Sequence, residues 1–265
     1  MIHGAGGASW HDFAPLIPHL ESRRDVVVVR IPGHYGARPL EEGADLTIDA
    51  FSDRLEEQLD ELGLDRPDIV GDSTGGWLAL ELARRGRAGA VVAISPSGMW
   101  TPEEARKVER DLKRAYALLR RTLPLATMLT RTSAGRYLVF APMLGTRGGE
   151  LTAEQAGHVL RALVGSQVGL SPLEANKDEQ GRLKTASRLS EIRCPVLILW
   201  GERDRLMPRV QGERWADAIE GAELEEIADT GHHPQFDRPQ EIADIVVEFF
   251  DHVHRGSDPP SPAST

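Results

Sequence analysis

The sequence predicts an α/β fold: a doubly wound, mostly parallel sheet interrupted by a helical insertion. Three observations predict it. Residues 26–29, 68–70, 90–94 and 196–200 are short apolar runs, continuous rather than alternating, as strands covered by helices on both faces require. Helical patterns separate most of these runs. Between Thr101 and about Ser190 the strand signals stop and helical ones take over. A chain of 265 residues has room for one large domain carrying such an insertion.

The elements follow in order. The chain opens MIHGAGG, and His3-Gly4-Ala5-Gly6-Gly7 reads as a loop that follows a finished strand, yet only Met1 and Ile2 precede it. After the strand at 26–29, Ile48, Phe51, Leu55, Leu59 and Leu62 recur at helical spacing, with Thr47 placed to cap the helix and Gly63 to end it. Strand 68–70 runs into Gly71-Asp72-Ser73-Thr74-Gly75-Gly76 and a helical run over 77–82. In the insertion, Thr101-Pro102-Glu103-Glu104 and Thr152-Ala153-Glu154-Gln155 carry capping-box signatures, and Gly-rich breaks at 145–149 and 165–172 separate helices. Strand 196–200 leads into Gly201-Glu202-Arg203-Asp204. A strand-like run at 224–228 leads into Asp229-Thr230-Gly231-His232-His233-Pro234. The expected division is a core of residues 1–100 and 191–255, a helical cap of 101–190, and a disordered, aperiodic tail of 256–265.

Composition narrows the partners. A net charge of -10 argues against nucleic acid or an anionic membrane surface, since both repel an acidic protein. Neither an apolar stretch of about 18 residues nor a signal peptide is visible, so the expected location is cytoplasmic. The single cysteine, Cys194, has no internal disulfide partner and reads as a small buried hydrophobe. The expected partner is a small-molecule substrate, with no metal or organic cofactor, and the oligomeric state is open.

The sharpest chemical signal is the G-x-S-x-G at Gly71 to Gly75, with a strand before it and a helix after it. That setting makes a nucleophile elbow, in which glycines permit a sharp turn that holds Ser73 out at the carboxyl end of the sheet. A serine hydroxyl also needs a base, an acid to orient the base, and donors for the oxyanion. Asp204 and His232 follow strands in the order expected for this arrangement. Each has a bland alternative. Asp204 could cap a helix beginning near Met207 and Pro208, with Glu202 a weaker acid candidate, and His233 competes with His232. Asp72 beside the nucleophile either alters the electrostatics around Ser73 and His232 or pairs with an arginine away from the pocket, and the structural reading is favoured.

Taken with Ile31-Pro32-Gly33-His34, these motifs occur in the order of the cap-containing α/β-hydrolase fold family, which the chain resembles over nearly its whole length. The resemblance implies Ser73 as nucleophile, His232 as general base, Asp204 as its orienting acid, and the NH groups of Ala5 and Thr74 as the oxyanion hole. Serine at the elbow points away from the haloalkane dehalogenase and epoxide hydrolase branches, which attack through a carboxylate. His3 and His34 are expected to bond backbone in their loops. Trp10, Trp77 and Trp100 are candidates for an apolar substrate pocket or, equally, for the core, and Met128, Tyr137, Phe140 and Met143 suggest an apolar lid. The expected activity is a serine esterase or lactonase working through an acyl-enzyme. A carbon–carbon bond hydrolase and a non-catalytic ligand-binding homologue are the alternatives.

In the family's sheet the strand leading into the His-Gly loop lies between the strands at 26–29 and 68–70. Two residues cannot span it, and buried groups left unpaired cost roughly 1–3 kcal/mol each. The expectation is therefore a start codon upstream, with Met1 internal, the alternative being a truncated product that is poorly folded, inactive or rescued by a partner.

Overall fold

A computed structural model describes residues 1–6 and 10–257. Its sheet has four parallel strands in the order β1 (Ile69–Asp72), β2 (Val91–Ile94), β3 (Val196–Gly201) and β4 (Glu223–Ile227). Every residue of β1, β2 and β3 is buried, which explains why these strands are apolar apart from Asp72 at the end of β1. β4 is the edge, and its Glu223, Glu225 and Glu226 follow from having one side in water.

Helices cover both faces. On one lie α3 (Ile48–Glu61), α4 (Thr74–Arg84) and α9 (Val210–Ala218), where Phe51, Leu55, Leu78 and Trp215 pack with Ile69, Val91 and Ile198. On the other lie α1 (Trp10–Phe13), α2 (Ile17–Leu20) and α11 (Pro239–Ser257), where Phe13, Leu20, Ile242 and Val246 pack with Val70, Val92 and Leu199. Adjacent strand residues thus serve opposite cores, as the two-residue pleat dictates. Thr47 caps α3 by accepting from the Ala50 NH at 3.3 Å, and Gly63 follows with φ +68°. α11 runs to Ser257, so the tail expected from Gly256 begins inside a helix, and residues 258–265 lie outside the described residues.

Before β1 the structure departs from expectation. Residues 26–29 form no strand ladder. Only Val29 bridges, to Ile2, which on its other side bridges Gly71 in β1. Ile2 donates to the Val70 carbonyl at 2.8 Å and accepts from Asp72 at 3.0 Å, so it occupies the central position between the two runs. The Met1 ammonium donates to the Val27 carbonyl at 2.6 Å, and burial lowers its pKa to about 5. A ladder needs a partner along its whole length, and here one residue supplies it. Alongside Met1 and Ile2, residues Val26, Val27 and Val29 and the start of β1 at Ile69 and Val70 border a cavity of about 220 Å³.

Between β2 and β3 the chain forms α5 (Pro102–Leu129), α6 (Ser133–Leu144), α7 (Ala153–Gly165) and α8 (Ser171–Ala175). Both predicted capping boxes are made. Thr101 and Glu104 exchange bonds at 3.2 and 2.8 Å, and Thr152 and Gln155 at 3.2 and 2.8 Å. α5 packs against α6 and α7. A 3-10 turn at Leu189–Glu191 leads back to the sheet, and α10 (Pro234–Asp237) follows the loop after β4.

Candidate active site

Ser73 sits between β1 and α4 with φ 55° and ψ -115°, a left-handed backbone that a non-glycine residue adopts only where its surroundings enforce it. The enforcement is visible. A Cβ on Gly71 would lie 2.2 Å from the Gly75 carbonyl oxygen, and one on Gly75 would lie 2.2 Å from that of Ile2. These glycines let α4 close onto β1 and onto the first residues of the chain. The Ser73 NH donates to Ile94 at 2.8 Å, which ties the elbow to the end of β2.

Three predicted residues meet there. Ser73 Oγ lies 3.0 Å from His232 Nε2, and Asp204 Oδ2 accepts from His232 Nδ1 at 2.7 Å. The His232 and Asp204 side chains are each 1% exposed. Asp204 caps no helix, since α9 begins only at Val210; its other oxygen accepts from the Leu206 and Met207 NH groups at 2.9 and 2.8 Å in the turn that follows β3. That double use fixes the carboxylate's direction. Glu202 accepts instead from the Asp229 NH at 2.8 Å.

The loop carrying His232 is clamped by the end of α6. The His232 NH donates to the Leu144 carbonyl at 2.7 Å, and the His233 NH donates to Thr146 Oγ1 at 3.0 Å. Asp237 accepts from the Arg147 and Gly148 NH groups, both at 2.9 Å. At Gly231 the approach is so close that a Cβ would lie 2.0 Å from the Thr146 nitrogen. Sequence reasoning missed this clamp, since nothing local in Leu144 or Thr146 announces a partner some 90 residues away.

Of the two readings of Asp72, the arginine pair is not made: among the described residues the carboxylate binds no arginine. It is 1% exposed and takes His233 Nδ1 at 3.0–3.1 Å, at the pocket wall. Burial alone would raise the Asp72 pKa, but the charge and hydrogen bond of His233 outweigh it and the net shift is downward. Burial would likewise lower His233, and Asp72 reverses that, so its pKa is raised. His3 and His34 bond backbone as expected. His3 Nδ1 lies 2.8 Å from the Gly4 carbonyl and its Nε2 accepts from the Ile31 NH at 3.1 Å, while burial lowers its pKa to about 3 and keeps it neutral.

Ser73 opens into a cavity of about 500 Å³ beneath α5, α6 and α7. Ala5 and Thr74 line it beside Ser73, as do Trp77 and Trp100, whose rings meet edge to face at 5.9 Å. Trp10 does not. It is 48% exposed and turned edge-on to His11. Of the suggested lid residues, Phe140 and Met143 line the cavity, whereas Met128 and Tyr137 are exposed outside it. The lining is apolar along α5, α6 and α7, and among the described residues it includes Asp12 and Asp72 but no arginine or lysine. No group of three metal-ligating side chains occurs among the described residues.

The comparisons agree with the fold. Residues 1–245 match the profile of the family described as "Alpha/beta hydrolase family". The chain is 30% identical over 214 residues to the epoxide hydrolase EphH of Mycobacterium tuberculosis, covering 76% of this chain and 94% of that protein. It is 29% identical over 261 residues to 2-hydroxy-6-oxononadienedioate/2-hydroxy-6-oxononatrienedioate hydrolase 2 of Pseudomonas putida, covering 95% and 87%. Among solved structures, the meta-cleavage product hydrolase of Pseudomonas fluorescens IP01 superposes with a TM-score of 0.72 at 21% identity, covering 95% of this chain and 89% of that one. With the profile spanning most of its length and the sheet ordered as described, the chain belongs to the alpha/beta hydrolase family and is a hydrolase of that fold.

Proposed function

We propose that the protein is a serine hydrolase that cleaves an uncharged, largely apolar carboxylic ester or lactone through an acyl-enzyme. The observation that carries this is the relay from Asp204 through His232 to Ser73, at 2.7 and 3.0 Å, facing a cavity whose cap side is apolar. In the first step Ser73 Oγ attacks the ester carbonyl carbon while its proton passes to His232 Nε2. The carbonyl electrons move to oxygen, and the NH groups of Ala5 and Thr74 receive that charge. Collapse expels the alkoxide, which takes the proton from His232. Water then attacks the acyl group, its proton passing to His232 and on to Ser73 as the acid leaves. Asp204 holds Nδ1–H throughout, so that Nε2 stays an acceptor toward Ser73.

A second reading is carbon–carbon bond hydrolysis, favoured by the Pseudomonas putida relative. The substrate in that relative's name is a dicarboxylate, and a buried carboxylate needs a paired cation. The described lining of this cavity offers Asp12 and Asp72 but no arginine or lysine, and its two histidines are already engaged, His232 by Asp204 and His233 by Asp72, which favours a neutral substrate. Epoxide opening by an enzyme carboxylate needs that carboxylate at the elbow. Ser73 holds the place, and Asp72 is committed to His233.

The test is covalent labelling by a fluorophosphonate, followed by hydrolysis of a series of neutral esters and of a β-diketone acid. Labelling lost in Ser73→Ala, with ester turnover exceeding diketone cleavage, is the expected result. A folded protein that refuses the reagent is a binder rather than an enzyme of this kind.

A further inference from the structure

The whole-chain charge of -10 hides a strong local asymmetry. Residues 112–149, which run through most of α5 and all of α6, contain seven basic residues and no acidic one. Arg114, Arg120, Arg121 and Arg131 are exposed and form no ion pair with any described residue. On α5, Arg114, Leu118, Arg121, Leu125 and Met128 follow one another at spacings of four and three, so they share one stripe of the helix. That stripe faces outward. Leu118 is 63% exposed, Leu125 52% and Met128 54%, with Leu138 of α6 at 63%.

This stripe is continuous with the substrate cavity. Leu118, Leu125 and Leu138 line the cavity and are exposed at the same time, so they form its mouth. An apolar mouth flanked by unpaired arginines is costly in water and suits a surface that offers hydrocarbon beneath negative charge. We propose that the α5–α6 face docks on an anionic lipid interface and takes its substrate from there. The docking stands on the surface alone, and the delivery of substrate rests on the esterase reading. A second copy of the chain seated face to face would set like-charged stripes against each other. A nucleic acid would use the arginines and leave the leucines in water. No described helix is long and apolar enough to cross a membrane, so the contact is one of lying on the surface.

The experiment is co-sedimentation of the full chain with vesicles of phosphatidylcholine, with and without phosphatidylglycerol, at low and high salt. Wild type is expected to sediment with the anionic vesicles at low salt and to be released by high salt. Arg114→Glu combined with Arg121→Glu is expected to lower partitioning at least about tenfold, given roughly 1 kcal/mol per basic residue at such a surface. Met128→Gln, which keeps the charges, is expected to weaken binding less. Unfolding midpoints matching wild type establish that the variants are folded. Equal binding to neutral vesicles, no binding to either, or full binding by the double variant each overturns the proposal. So does a dimer in sedimentation velocity that Met128→Gln dissociates, or retention of the protein by an oligonucleotide but not by vesicles. Fluorophosphonate labelling run in parallel separates the two readings. Labelling without vesicle binding refutes the surface alone, and vesicle binding without labelling refutes the esterase alone.

Discussion

Asp204–His232 and Asp72–His233 are pairs of the same two residue types, side by side in the fold, and they are wired differently. Asp204 is anchored by two backbone NH groups, and the His232 ring it holds has its far nitrogen on Ser73. Asp72 precedes Ser73 in the elbow, and His233 follows His232 in its loop. Their contact therefore runs parallel to the Ser73–His232 bond, one residue along on each strand of chain. On the proposed mechanism the first pair moves a proton, and we infer that the second ties together the two loops that must stay about 3 Å apart for the transfer to occur. In that reading two acids and two histidines divide between chemistry and positioning by which histidine meets Ser73.

The largest effects test the first pair. Ser73→Ala or His232→Gln is expected to lower kcat about a millionfold, and Asp204→Asn about ten-thousandfold, because the amide no longer holds Nε2 as an acceptor. Ester hydrolysis by purified variants measures both. If Asp72→Asn falls as far as Asp204→Asn, the division of roles is wrong.

Next comes the turn that carries both histidines. In Gly231→Ala the new Cβ meets the Thr146 backbone, a contact that no rotamer relieves. The loop must move, and a shift of about 1 Å at His232 is expected to cost about a hundredfold in kcat/KM. Normal activity in this variant would mean that the α6 clamp does not position the base.

Asp72→Asn is expected to lower kcat about tenfold with KM nearly unchanged, since it loosens alignment without touching substrate. Its stability effect has a defined sign. His233 has a folded pKa raised above 6.5, so its contribution is complete below that value and is lost as pH rises through the raised one. Asp72 has a folded pKa lowered from 3.8, so its contribution is present above 3.8 and is lost as pH falls through the lowered one. The deficit of Asp72→Asn, about 3 kcal/mol for breaking a buried pair, is thus greatest near pH 5 and shrinks in alkaline solution. Urea unfolding at acid and alkaline pH measures it.

These two pairs also mark how far the sequence could be read. Ser73, Asp204 and His232 were legible because each follows a strand and the chemistry fixes their order. The elbow glycines and capping boxes were legible because their causes are local. Asp72–His233 was not, since pairing across 161 residues leaves no local mark and an acid beside a nucleophile has many possible partners. Trp10 failed for a related reason: nearness in sequence to the His-Gly loop does not say which way a side chain turns. The apolar run at 26–29 promised a strand, but a strand depends on the ladder it meets. The basic stripe of α5 was overlooked because a net charge averages over all faces.

The smallest effect is the most discriminating. In His233→Asn the amide nitrogen can stand where Nδ1 stands and donate to Asp72, so a hydrogen bond worth about 1 kcal/mol is kept while the charge is removed. If the pair works as a tether, kcat stays within about threefold of wild type and the pH dependence that Asp72→Asn abolishes is abolished here too. The stability deficit near pH 5 is then smaller than that of Asp72→Asn, because the acceptor still has its donor. If His233→Asn instead loses as much kcat as Asp72→Asn, the charge on His233 rather than its bond is what the neighbouring relay requires. The second pair would then act through its field on Ser73 and His232, and the contrast between chemistry and positioning would collapse into a single four-residue electrostatic unit.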